Sequence, residues 1–291
     1  MRGGAILAFL ALCVAAPARA DAAPDLSGIW ARTTFGYDLG PAGPGPLKNL
    51  ARRPNGTSDA FKLVGDYNNP ILQPWAAAIV KQHGVTSLAG KSYPDLSNEC
   101  RPLPPPYVLR IAQMQMLQEK DRITILYIQD HQFRQVRLNA THPAKVTPSW
   151  NGDSVGHYEG DTLVIDTVGI RTRPGSMIDM YGTPHTPALH VVERYRLIDG
   201  EAAKHAQERS EREYGRPTTE PVYVDPGYGG KGLEAAFTVE DSGAFTRSWS
   251  SAVTYRRSSV KEWGEIACAE NTADYYAGAT ATVPTAERPD F

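Results

Sequence analysis

Beyond its first twenty residues the sequence has no apolar run long enough to cross a membrane as a helix. Cysteine is scarce: only Cys13, Cys100 and Cys268 occur, too few and too far apart for a zinc site. Charge of either sign is not in excess. The 30 Lys and Arg against 32 Asp and Glu give a formal net charge of −2, which offers no electrostatic reason to expect nucleic acid or an anionic membrane surface as partner. A Walker loop is missing; the Gly-x-Ser-x-Gly string at residues 152–156 lies in a strand-forming hairpin rather than at a strand-to-helix elbow, and the G-x-G-x-x-G string at residues 227–232 has no strand before it. In that context none of them signals an esterase nucleophile, a nucleotide triphosphate or a dinucleotide. The glycine-rich stretch 227–232 follows no strand, so it does not read as a phosphate loop. No repeat of solenoid length and no domain linker interrupts the chain.

Residues 1–20 read as a signal peptide. Arg2 supplies the positive start, residues 5–16 the apolar core, and Ala18-Arg19-Ala20 the cleavage site. Leu12 before Cys13 is a poor fit to a lipoprotein signal. Cleavage removes two arginines and no acid, leaving 28 basic and 32 acidic residues, a charge of −4. The mature protein is expected in the periplasm or secreted. In such an oxidising compartment Cys100 and Cys268 either pair or stay as buried thiols. A disulfide closing so long a loop is worth about 5 kcal/mol in the chain-entropy limit.

What remains is rich in strand signals. Residues 122–168 hold two dense runs of Ile, Val, Tyr, Phe and Leu, at 123–129 and 133–139. Asp130-His131 lies between them, as a hairpin connection or as a bend in one strand. Residues 153–168 form a hairpin about Glu159-Gly160-Asp161, where Gly160 supplies the positive φ of a short turn. Further strands are expected at 107–118, 189–198 and 244–256. The best helix runs from Pro74 to His83, with Gly84 as its stop, and Trp75 and Ile79 should pack on the sheet. Residues 33–69 read as a long surface loop.

The economical fold is mainly β, a single antiparallel β-barrel or strongly curved sheet over residues 21–271. One short helix packs against it, and residues 203–232 form an inserted arm. That arm is charged in its first half and Pro/Gly-rich with Tyr223 and Tyr228 in its second, which suggests a lid over the barrel mouth. Residues 272–291 form a polar, mobile tail.

Strand parity nominates the site, since alternate residues share a face. Arg134 shares a face with Val136 and Leu138, and Glu193 with Val191, Tyr195 and Leu197. Arg247 falls with Phe245, Trp249, Val253 and Tyr255. Charges on apolar faces must pair, meet water or meet a ligand. The three therefore form either an internal network that fixes register or the polar groups of a ligand cavity. His131 would lie at the sheet rim. His185 and His190 flank the Thr186-Pro187 turn, but His190 and Glu193 differ by three, so a strand sets them on opposite faces and a shared metal would need a bulge. No metal and no cofactor is expected. His83, His142 and His205 read as surface groups.

Residues 148–150 and 157–167, Pro-Ser-Trp and His-Tyr-Glu-Gly-Asp-Thr-Leu-Val-Ile-Asp-Thr, carry a resemblance. The chain resembles a large group of exported bacterial proteins of uncertain function. They share an SGxW start, a PWA helix, a Cys-Pro connector, an ILY…FR strand pair, W-x-G-x-S-x-G-x-W-E-G-D-T-L-V-V-D-T, and P-H-x-x-x-L-H-V-x-E-R. Here these are residues 27–30, 74–76, 100–106, 125–134, 150–167 and 184–194. The resemblance implies a lipocalin-like barrel in the cell envelope. Asp153 stands where the pattern has histidine, and Tyr158 where it has tryptophan.

The expected function is a cofactor-independent lyase or isomerase, acting by acid/base chemistry on a small hydrophobic or aromatic molecule. His131 and His190 are the expected proton-transfer groups, with Glu193 or Asp166 tuning them. Arg134 and Arg247 would stabilise negative charge, while Trp150, Tyr195, Trp249 and His185 complete the substrate site. The alternative is a carrier that returns a hydrophobic ligand unchanged. Oligomeric state stays open.

Overall fold

In the computed structural model, residues 23–40, 43–91, 96, 99–111, 113–128, 132–216 and 223–262 are described. The signal peptide, His131, Cys268 and the C-terminal tail lie outside them. The strands are β1 (Gly28–Ala31), β2 (Asp38–Leu39), β3 (Gln113–Gln118), β4 (Arg122–Tyr127), β5 (Phe133–Leu138), β6 (Asp153–Glu159), β7 (Thr162–Val168), β8 (His190–Ile198), β9 (Gly232–Glu240) and β10 (Trp249–Arg257). The helices are α1 (Pro74–Leu88) and α2 (Gly200–Tyr214).

Neighbours run β1-β3-β4-β5-β6-β7-β8-β9-β10, and β1 pairs again with β10. Nine strands thus close into a barrel, with the short β2 lying along β10. Closure removes the unpaired edges that an open sheet would expose. The pairings are antiparallel except β5–β6, which is parallel and short, with Arg137 opposite Val155 and Leu138 opposite Gly156. The expected mainly β, lipocalin-like barrel is the fold observed. Among the described residues no helix is long and apolar enough to cross a membrane.

The barrel is filled by the alternate residues that parity assigns inward. Trp30, Met116, Ile125, Val136, Leu163, Ile165, Val191, Phe237, Trp249 and Val253 are all buried. Phe237 meets Trp249 edge-on at 6.0 Å between ring centres. The β6–β7 hairpin forms as its sequence requires, with Glu159 opposite Thr162 and Gly160 at φ 61°.

Three expected elements differ. Residues 107–110 form a 3-10 turn rather than the start of a strand, because Val108 and Leu109 donate to the carbonyls of Pro104 and Pro106. The last strand begins at Trp249, not at residue 244. The Asp241 side chain instead accepts from the backbone of Gly243 and Ala244 and holds that stretch as a turn. Helix α1 continues through Gly84 to Leu88, and its buried face is Ala76, Val80, His83 and Gly84. Gly84 therefore serves close approach rather than termination, since a Cβ there would stand 3.0 Å from Val64 Cγ1. His83 is correspondingly buried, against its reading as a surface group.

One end of the barrel carries the connections β7–β8 and β9–β10, as the pairing of His190 with Glu240 and of Trp249 with Val239 requires. Helix α1 docks at this end, where Trp75 Nε1 donates to Gly243 O at 2.7 Å. The first half of the expected arm is helix α2. Asp199 caps it by accepting from Glu201 N and Ala202 N, and Ala203, Ala206 and Ser210 are buried.

Candidate functional site

Two of the three charges assigned to apolar faces do meet inside the barrel. Arg134 Nη1 and Nη2 donate to the two Glu193 carboxylate oxygens at 3.1 and 2.5 Å, and both side chains are fully buried. Arg134 also donates to Ser154 Oγ at 2.9 Å and Thr167 Oγ1 at 2.6 Å. Tyr195 Oη donates to Glu193 Oε1 at 2.8 Å. Burial works against the guanidinium charge, but the Glu193 carboxylate holds Arg134 above its ordinary value. Burial likewise pushes the Tyr195 phenol well up. This is a satisfied internal network, and its chemistry is spent on itself.

Arg247 does not join it. It is exposed in the turn before β10, because the strand that was to orient it starts two residues later. Trp249 is buried in the barrel, and its Nε1, like Tyr127 Oη, has no hydrogen-bond partner among the described residues.

The outer face of the barrel brings together two other expected groups. Asp166 on β7 lies opposite Val192, two residues from His190, which makes the two diagonal neighbours. His190 Nε2 stands 3.0 Å from Asp166 Oδ1, and His190 Nδ1 stands 3.3 Å from Glu240 Oε2. His142, read from the sequence as a surface group, completes the cluster. Its Nε2 is 3.1 Å from the same Asp166 oxygen and its Nδ1 2.6 Å from Asp153 Oδ1. Arg137 closes on Asp153 with two bonds of 2.8 and 2.9 Å and, foremost among the causes, holds its carboxyl below the usual range. Among the described residues no three His, Cys, Asp or Glu side chains are posed to hold a metal ion.

The third place is a cleft of about 530 Å3 at the covered barrel end. Its walls come from α1 through Trp75 and Ile79, from residues 172–177, and from residues 182–187. Trp75 was expected to pack on the sheet. Instead it is 43% exposed, because the packing face of α1 is set by Ala76 and Val80. Met177, Pro174, Pro184 and Pro187 make the lining largely apolar, and Thr172, Arg173, Ser176, His185 and Thr186 are its polar members.

His185 is 3% exposed. Its Nδ1 stands 3.1 Å from the Thr186 carbonyl oxygen, an atom that can only accept, so Nδ1 carries the proton and Nε2 the lone pair. That Nε2 is buried without a hydrogen-bond partner among the described residues. Burial lowers the imidazole pKa, while the Thr186 carbonyl and Asp241 pull it back up. Thr186 is itself fixed, its N and Oγ1 each 2.6 Å from a carboxylate oxygen of Asp241. A neutral imidazole of set tautomer, oriented by a chain of hydrogen bonds, is equipped to accept a proton.

Trp150 lines a second, larger cleft of about 650 Å3 beside β5 and β6, and the Arg171 and Arg173 guanidiniums stand 5.7 and 5.6 Å from its ring. His131 lies outside the described residues. Sequence reasoning missed His142 and Asp241, whose roles depend on register and loop path. The Thr186-Pro187 turn was the only local signal for the His185 environment. Compared with known proteins, the chain matches no family model, no curated protein and no solved structure.

Proposed function

We propose that this protein is an exported, cofactor-independent acid/base enzyme, a lyase or isomerase, whose substrate is a small hydrophobic or aromatic molecule held in the cleft beside His185. The observation that carries the reading is the His185 imidazole itself, neutral, buried, fixed in tautomer and unpartnered at Nε2. The resemblance to exported envelope proteins and a Cys100–Cys268 disulfide belong to the same proposal.

In the reaction, Nε2 takes a proton from a substrate carbon. The electron pair of the broken C–H bond forms a new double bond; in an elimination a leaving group departs with the electrons of its own bond, and in an isomerisation a neighbouring π bond moves its electrons one position along. The imidazolium then returns the proton, to the leaving group in an elimination or to another carbon in an isomerisation. Trp75, Ile79 and Met177 supply the apolar walls that exclude water, and Arg173 a positive charge for the transient anion. Proton-transfer catalysis of this kind contributes about 100-fold to 10,000-fold.

The test uses deuterium oxide. Purified mature protein and His185→Gln are incubated with extracts of hydrophobic and aromatic metabolites, without added metal or nucleotide, and the mixtures are read by mass spectrometry. The wild type should convert a compound or exchange its protons for deuterium, and H185Q should be slower by about 100-fold or more. A ligand recovered in stoichiometric amount, unchanged and free of deuterium, would contradict catalysis and support a carrier.

A further inference from the structure

Two cations stand beside the His185 cleft with no acid to answer them. The Arg171 and Arg173 guanidiniums lie 5.7 and 5.6 Å from the Trp150 ring centre. Neither has a carboxylate partner among the described residues, and Arg171 Nη2 donates only to the Pro148 carbonyl, at 3.3 Å. The chain as a whole leans the other way, with a formal charge of −2. An indole face attracts a guanidinium without neutralising it, and two like charges gathered at one ring repel. An anion at this rim would relieve both.

The local sequence fixes the rim in place. Ser149 N donates to Gly169 O at 3.1 Å and Arg171 N to Ser149 O at 2.8 Å, which zips the two segments together and brings Trp150 beside Arg171. Arg173-Pro174-Gly175-Ser176 has the marks of a type II turn, with proline second, Gly175 at φ 80°, and Ser176 N donating to Arg173 O at 2.9 Å. Arg173 N donates in turn to Ser176 Oγ at 2.9 Å. Arg173 is thus presented from a held corner. Thr172, between the two arginines, stands 3.4 Å from His185 Nδ1 through its Oγ1. Arg173 and His185 both line the same cleft.

We infer that the cleft takes a carboxylate, a small acid with an apolar or aromatic body, and that Arg173 selects it with Arg171 reinforcing the field. The inference rests on the acid/base reading of His185 and narrows its substrate class. A guanidinium matches a carboxylate fork to fork. The walls from Trp75, Ile79, Met177 and Pro184 suit an apolar body and not a sugar or a polyphosphate. A carboxylate also completes the chemistry. Nε2 takes the proton from the carbon next to it, so the released electron pair spreads onto oxygens that Arg173 holds. With a leaving group on the following carbon, that pair closes the double bond as the group departs with its own electrons. With a double bond one position further, its π electrons shift along and the far carbon receives the proton from the imidazolium.

The experiment is calorimetric titration of the full-length mature protein with phenylacetate, 3-phenylpropanoate and octanoate, each beside its neutral amide. At least one acid should bind about tenfold or more tightly than its amide. Its affinity should fall with added salt, and 15N-histidine spectra should show it at His185. Arg173→Gln should erase the difference between acid and amide and leave the amide's own affinity in place. Arg173→Lys should restore part of the difference, and Arg171→Gln should reduce it. Lys204→Gln, on the exposed face of α2, should bind as the wild type. Melting temperatures check that each variant is folded. No acid binding better than its amide, or a preference that survives R173Q, would overturn the inference. Binding is read without turnover, so that failure would leave the deuterium-exchange test of His185 standing. A preference lost in R173Q, with no exchange in the wild type, would keep the anion site and remove the base.

Discussion

Glu193 shows most simply how single residues divide between architecture and chemistry. It neutralises Arg134 at the barrel centre, where an unpaired charge has no water to turn to. Glu193→Gln should therefore destabilise the fold by about 3–5 kcal/mol, measured by urea unfolding, because it strands the guanidinium. Replacing Arg134 and Glu193 together by apolar residues of similar volume should cost much less, and a full loss in the double variant would refute the pairing. The shared apolar face of Arg134 and Glu193 was legible, since parity needs only strand identity. Arg247 was misplaced because parity needs the right starting residue, and the Asp241 turn that delays β10 leaves no periodic mark. Asp166 and His190 were each nominated from the sequence, but their contact depends on register between strands, which one chain does not print.

Among the elements, α2 departs furthest from its sequence reading. A lid would be dispensable to folding, so cutting it away would leave melting near native. Instead α2 is tied to the body by Thr33 with Glu211, by Thr34 with Ser210, and by Tyr214 donating to the Tyr37 carbonyl. Replacing residues 203–232 by a short Gly-Ser turn should lower the melting temperature clearly, and an unchanged melt would contradict the packing described. The milder Asp199→Ala removes only the N-cap and should cost about 1 kcal/mol. The helical half of the arm has strong charge but few apolar residues to set a period, so its sequence does not choose between strand and helix. The β6–β7 hairpin was legible to the residue, because alternation and Gly160 agreed.

At the scale of the whole molecule, barrel closure leaves a filled interior and moves the candidate chemistry to a cleft at one end. Acid stability should follow from two groups. His185 has a folded pKa below its unfolded value of about 6.5, so stability is full above that pH and is lost as pH falls from there toward the folded value, where the unfolded chain alone takes the proton. Asp153, also lowered in the fold, keeps its contribution until pH falls below the ordinary aspartate range. Urea midpoints across pH should fall in these two stages, and H185Q should flatten only the first. The account rests on the state of one ring, and 15N-histidine spectroscopy reads that state without knowledge of the substrate. His185 should show a protonated Nδ1 and a bare Nε2 at neutral pH, and should stay so to below pH of about 6.5. A proton on Nε2, or an imidazolium at neutral pH, would contradict its role as the base.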